Sequence, residues 1–311
     1  ILSLKDLAAS HLSRYAEMKL GSLNFLEVVR HFESLPVAEI VRIYGAIGGV
    51  PAYLDKWDAA KSFKDNICRL VLTPSGALYG EADAVISAEL RELSAYSTIL
   101  AAIARGENKL NDIFHATGFS RAKISVYLKN LATFNIVEKV VSFETGGWEN
   151  AKKGVYQIKD TFVNFWFKFV YPNMSNLYLL SPEEFYDTYI EKELDAYLER
   201  YFREVCTEYL LILNQMGQLP FTIKRVGTWI GKTGRIDIVA QSEDRRSIIG
   251  FCNWDKPMMT MDMCENMAMA MDQARLTSDD YYLFSATDFE PALQSYVVRD
   301  PRFKLINMNE L

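Results

Sequence analysis

Apolar residues along the 311-residue chain recur first at helical and later at strand spacing. Phe25, Val28, Val29 and Phe32 fall three and four apart, the interval that lines one face of a helix. A second helix is expected over residues 37–47. Gly48-Gly49-Val50-Pro51 ends it, because glycine takes the left-handed cap conformation and proline blocks continuation. Residues 1–60 therefore read as a helical segment. Residues 61–90 read as a mixed connector with a turn at Thr73-Pro74-Ser75-Gly76.

Residues 91–160 carry the clearest pattern. Tyr96, Leu100 and Ile103 line one helix, and Leu110, Ile113 and Phe114 line a shorter one. Thr117-Gly118-Phe119 is a tight turn, and Ser120 is placed to cap the next helix by accepting an orphan N–H. That helix has Ile124, Leu128 and Leu131 on one face and Ala122, Ser125 and Lys129 on the other, with Arg121 and Lys123 in its first turn. Two strand-like runs follow, Ile136–Phe143 and Val155–Ile158, joined by a loop with Gly146, Gly147, Lys152 and Lys153. Helix, helix, glycine turn, helix, hairpin is the order of a winged helix-turn-helix. Duplex DNA would then meet Arg121, Lys123, Ser125 and Lys129 on the helix and Lys152 and Lys153 on the wing. The alternative is a protein–protein joint with solvated lysines.

Residues 161–195 form a helical linker, aromatic at Phe162, Phe165, Trp166 and Phe169 and then acidic at Glu183, Glu184, Glu191 and Glu193. From 196 to 311 the pattern becomes α/β. A helix over 196–215 precedes strands at 221–229, 234–241 and 247–254, a methionine-rich helix at 260–275, a strand at Asp280–Phe284, a helix at 289–298 and a strand at Phe303–Ile306. Helix, three strands, helix, strand is the core order of restriction-endonuclease-like folds. The expected fold class is thus mixed α and α/β: a helical N-terminal piece, a winged helix and a nuclease-like C-terminal domain.

Composition narrows the classes. Half the residues are apolar and 24% are charged, which suits a globular chain and excludes a disordered or collagen-like one. No apolar run approaches the roughly 18–20 residues of a membrane span. No membrane partner is expected. The net charge of −6 hides an asymmetry. Residues 100–159 hold nine Lys/Arg against five Asp/Glu, and residues 181–208 hold three against nine. One basic module in an acidic whole is the implication. Cys68, Cys206, Cys252 and Cys264 form no C-x-x-C pair, and reduced thiols in a cytoplasmic protein are expected. His11, His31 and His115 do not cluster, so neither a zinc site nor a histidine-based triad is expected. The chain opens on Ile1, which points to a fragment with natural sequence upstream.

Gly231-Lys232-Thr233 imitates a P-loop, but Val226 stands where the pattern needs glycine, and a strand follows where a helix N-terminus belongs. A hairpin turn over Gly231–Gly234 is the better expectation. The strand Arg235–Ala240 is expected to put Ile236, Ile238 and Ala240 on one face and Arg235, Asp237 and Val239 on the other. Asp237 needs a partner, a metal or solvent there, because unpaired burial of a carboxylate is costly.

Val226–Ala240 and Gly250–Trp254, with Leu20–Phe32, Tyr44–Leu54 and Gly154–Phe169, resemble the C-terminal region of the archaeal-type ATPase family. In that family an AAA-type core precedes a lid, a winged helix and a PD-(D/E)xK nuclease-like domain. The resemblance implies that ATP and magnesium belong to a missing N-terminal Walker core, itself an expected partner, and that this chain needs no cofactor. Matched residue by residue, Asp237 takes the motif aspartate, while Phe251 and Asn253 fall at the Glu and Lys positions. Phenylalanine cannot ligate a metal and asparagine supplies no cation. Glu204 fits an additional acidic position, and Lys232, Arg235 or Lys256 are candidates for a migrated lysine. The implied function is a DNA-binding accessory region with a degraded nuclease centre at Asp237 and Glu204. A metal-dependent nuclease with a rearranged site, or a regulatory module that binds a protein and no DNA, are the alternatives.

Overall fold

The computed structural model describes residues 21–88, 90–143, 154–231 and 234–310. His11, the loop glycines Gly146 and Gly147, and Lys152, Lys153, Lys232 and Thr233 lie outside the described residues. The architecture is mixed α and α/β, with helices first and the larger sheet last.

The N-terminal helices are α1 (Phe25–His31), α2 (Val37–Ile47) and the single turn α3 (Pro51–Leu54). Asn24 and Glu27 close a capping box at the start of α1. Gly48 ends α2 at φ 69°, the left-handed region that the glycine pair was expected to supply. The stretch read as a connector is largely helical. It contains α4 (Phe63–Ile67), continued by a π-helical turn over Cys68–Leu72, and α5 (Glu81–Ser87). The turn at Thr73–Gly76 is present, closed by a hydrogen bond from the Gly76 N–H to the Thr73 carbonyl.

Next come α6 (Leu93–Ala104), α7 (Leu110–Thr117) and α8 (Arg121–Thr133), then an antiparallel ribbon of β1 (Val137–Val140) and β2 (Val155–Ile158). Ser120 caps α8 through the Lys123 N–H, as its position implies. The aromatic run builds α9 (Thr161–Phe165) and a π-helical turn over Trp166–Val170. Phe162, Phe165, Trp166, Phe167 and Phe169 are all buried, so this segment is core on most of its circumference, with Asn164 and Lys168 only half-buried. Two short helices follow, α10 (Met174–Leu177) and α11 (Pro182–Tyr189).

One helix ties the halves together. α12 runs 25 residues, Glu191–Gln215, and starts five residues before the expected 196. Its apolar positions wrap more than one face. Leu198 and Tyr201 press on Gly45 of α2, where any side chain would collide with them. Phe202 packs at a tilt against Trp254, with 5.4 Å between centroids. The Glu208 carboxylate accepts the N–H groups of Phe25 and Leu26 at 3.0 and 3.1 Å, capping α1 from a distance of 183 residues in sequence.

The sheet has order β3-β4-β5-β7-β9, from β3 (Arg225–Ile230), β4 (Arg235–Gln241), β5 (Ser247–Asn253), β7 (Asp280–Ser285) and β9 (Phe303–Asn307). The first three strands are antiparallel and the last three parallel. β6 (Met258–Met259) and β8 (Asp288–Phe289) make a small separate pair. The helices α13 (Met261–Ala274) and α14 (Pro291–Arg299) supply the crossovers that parallel strands require. α12 covers one sheet face. Met259, Met267, Met271, Phe289 and Leu293 fill the core on the other, while Met258 and Met269 are exposed. The methionine-rich stretch is therefore partly core and partly surface.

Gly49 is held by the Leu23 N–H, which donates to its carbonyl at 2.8 Å. A Cβ at Gly49 would fall inside the van der Waals shell of the Leu23 carbonyl oxygen, which is backbone and cannot rotate away. Gly49→Ala is expected to cost about 1–3 kcal/mol of stability, measured by urea unfolding. Gly21→Ala, which meets nothing within 4 Å, is the control and should stay within about 0.5 kcal/mol of the parent.

Candidate functional site

The expected strict alternation along β4 is broken. The register between β3 and β4 shifts between Gly227 and Trp229, so Asp237 and Ile238 together face Thr228. A β-bulge re-aims side chains in this way. Ile236 and Val239 join the core on the α13 side, while Ile238 and Ala240 join the core under α12. Asp237 turns toward α12 as well, and its Oδ1 lies 3.6 Å from Arg203 Nε.

Asp237 is 8% exposed and well partnered. Its Oδ2 accepts the Cys252 N–H at 3.1 Å, and Arg235 Nε lies 3.3 Å from Oδ1. Two guanidinium groups thus share one carboxylate. Burial first, and the charge of Arg203 second, push the Arg235 guanidinium down to about 10. Glu204 lines the same cleft, but its Oε1 is held by Arg200 Nε at 2.8 Å. Arg200 also donates to the Ile158 carbonyl at 2.8 Å, which joins α12 to the β1–β2 ribbon.

Phe251 and Asn253 do not stand beside Asp237. Phe251 packs into the core on the α13 side, whereas its neighbour Cys252 faces α12. Asn253 is buried and donates to Ser285 Oγ at 3.1 Å. Both side chains are therefore aimed away from the aspartate. Lys256 pairs with Asp255 at 2.6 Å, and Lys232 is outside the described residues, so Arg235 is the candidate cation placed at Asp237. Among the described residues no group of three His, Cys, Asp or Glu side chains is arranged to hold a metal ion. Gly231 and Gly234 are joined by an N–H···O bond of 2.9 Å across the β3–β4 turn, and a strand follows.

Arg121, Lys123, Ser125 and Lys129 are all exposed on α8. Arg121 donates to Asn111 Oδ1 at 2.5 Å and lies 4.1 Å over the Phe114 ring, and Lys123 lies 4.5 Å over Phe119. The loop end of the ribbon is docked on the sheet. Ser142 Oγ accepts the Ile230 N–H at 3.2 Å, and Arg225 lies 4.7 Å over the Phe143 ring. The wing lysines Lys152 and Lys153 are outside the described residues.

Sequence reasoning missed Arg200 and Arg203. They sit inside the acidic 181–208 stretch, where the net charge concealed them. The available signal was their spacing: three apart on a helix, they share a face.

Residues 166–268 match the family model DUF234, described as archaeal and bacterial proteins of unknown function. That stretch contains every member of the cluster from Arg200 to Asp237. The uncharacterized protein MJECL04 of Methanocaldococcus jannaschii is 30% identical over 239 residues, which is 76% of this chain and 53% of that protein. The chain spans about half the length of the curated relative it matches. No solved structure matches it. Among the described residues no helix is long and apolar enough to cross a membrane.

Glu199 stands behind the cluster. Burial, then the charge of Asp255, pushes its carboxyl above the ordinary value. The folded state therefore binds this proton more tightly than the unfolded chain does. Ionisation costs stability at neutral pH, and the cost vanishes as pH falls through the folded value. Glu199→Gln is expected to raise the urea midpoint at about pH 7 and to make no difference near about pH 4. A lower midpoint at neutral pH would show that the carboxylate is a net stabiliser.

Proposed function

We propose that this chain is a nucleic-acid-contacting accessory region of a larger ATPase, and that its sheet domain does not cleave. One observation carries the noncleaving part. The Asp237 carboxylate is shared by Arg203, Arg235 and the Cys252 N–H, with Phe251 and Asn253 on the opposite sheet face. Two guanidinium groups in contact with a lone carboxylate oppose a divalent cation and supply no second carboxylate to hold it. Glu204 is already paired with Arg200.

Contact with duplex DNA is supported by the order α6, α7, α8 and ribbon, which fits a winged helix, and by the exposed Arg121, Lys123, Ser125 and Lys129 on α8. Phosphate contacts of this kind give affinity without sequence choice. The order of sheet and helices, with a bulged aspartate strand, fits a nuclease-like domain that has lost its chemistry. In this reading ATP and magnesium belong to a core outside this chain. A cytoplasmic setting goes with the unpaired thiols Cys68, Cys206, Cys252 and Cys264.

A second reading makes the three helices a protein joint. It is favoured by the docking of Ser142 and Phe143 on β3 and by the placement of Arg121 and Lys123 over aromatic rings.

Fluorescence anisotropy with a labelled duplex separates the two. Binding is expected to weaken steeply with salt, and Arg121→Ala/Lys129→Ala is expected to flatten the log–log salt slope by about 2. No binding at low salt favours the joint. Magnesium- or manganese-dependent cleavage of plasmid DNA that Asp237→Ala abolishes contradicts the noncleaving reading.

A further inference from the structure

We infer that the cleft between the β1–β2 ribbon and α12 is a binding site for a phosphate group, held by Arg200, Arg203 and Arg235. The inference stands on this cleft and not on the DNA contact proposed for α8. The cleft has a volume of about 290 Å³, ample for a tetrahedral oxyanion and its attached group. Arg200 and Arg203 enter it from one face of α12, and Arg235 enters from the start of β4. Asn108, Gln157 and the Arg200-paired Glu204 also line it, the Gln157 amide donating to Glu138 at 2.6 Å.

The charge is unevenly satisfied. Arg200 has the close partners Glu204 and the Ile158 carbonyl. Among the described residues, Arg203 and Arg235 have one shared carboxylate, at 3.6 and 3.3 Å. Each guanidinium carries five N–H donors, so among the described residues most of theirs are left over after Asp237. The Arg203 side chain is 14% exposed, which limits how far water can screen it. Glu199, behind the cluster, offsets part of this charge and is itself disfavoured as an anion by burial. A surplus of forked, planar donors, buried at Arg203 and exposed to the cleft mouth at Arg235, is the arrangement that captures phosphate oxygens two at a time. Asp237 then acts as an internal competitor for the same donors, and a bound anion would bridge ribbon and sheet.

This gives a signature of opposite signs. Isothermal titration of the purified chain with sodium phosphate, against sodium chloride at matched ionic strength, is expected to show saturable binding. Arg203→Gln and Arg235→Gln are each expected to weaken it by about tenfold or more, since a hydrogen bond to a charged group is lost. Arg235→Lys keeps the charge without the fork and should fall between. Asp237→Asn is expected to tighten binding. Arg121→Ala/Lys129→Ala should leave it unchanged, which separates this site from the α8 face. Circular dichroism confirms that each variant is folded. A single-stranded oligonucleotide with a 5′-phosphate, compared with its 5′-hydroxyl twin, identifies the source. Preference for the phosphorylated end assigns a nucleic-acid terminus, and equal binding with orthophosphate retained assigns a small phosphate compound. Absence of saturable phosphate binding, or weakening by Asp237→Asn, overturns the site.

Discussion

Everything in this protein hangs on α12 packing in two directions at once. Its Leu198 and Tyr201 close against Gly45 of α2, while Phe202, Val205 and Cys206 lie under the sheet. Tyr197 adds a polar tie, donating to the Gly45 carbonyl at 3.0 Å in a buried network with Tyr201 and Asn164. A helix with apolar residues on one stripe could serve one module. With the stripe widened, the same helix locks both modules and fixes the distance between them. The charged side chains at Arg200, Arg203 and Glu204 are then forced into the gap.

Burying that much charge would be costly without mutual pairing. The bulge in β4 supplies the missing carboxylate by turning Asp237 onto the α12 face, beside the Cys252 N–H. The result is a polar seam in an otherwise apolar junction. It gathers the guanidinium groups of Arg203 and Arg235 around one carboxylate. The seam is also the place where the ribbon, the long helix and the bulged strand meet, so a ligand in it would bear on all three.

Local rules made much of this legible in the chain. The glycine pair at Gly48 and Gly49, the Ser120 cap and the closing bond from Gly231 to Gly234 each follow from the conformational needs of a few residues, and each is present. The strand and helix order from Arg225 onward was legible within a few residues, because hydrophobic periodicity reports local burial. What failed was nonlocal. A bulge leaves no mark in a single strand, since it is defined by the partner strand, and one extra residue moves Ile236 to the other face. The helices of 61–90 are short and buried by neighbours far away in sequence. Arg200 and Arg203 were hidden because net charge over a window says nothing about which face each residue occupies. The mixed α and α/β order, helices first and sheet last, was readable. The arginine pair at Asp237 was not.

The most direct measurement is a double-mutant cycle between Arg203 and Asp237, read by urea unfolding. If α12 and the bulge exist to join this pair, the two alanine substitutions should be non-additive, with a favourable coupling of about 1–3 kcal/mol. Additivity within about 0.3 kcal/mol, together with stabilisation of the parent by manganese, would mean that Asp237 is free to serve a metal and would contradict the account.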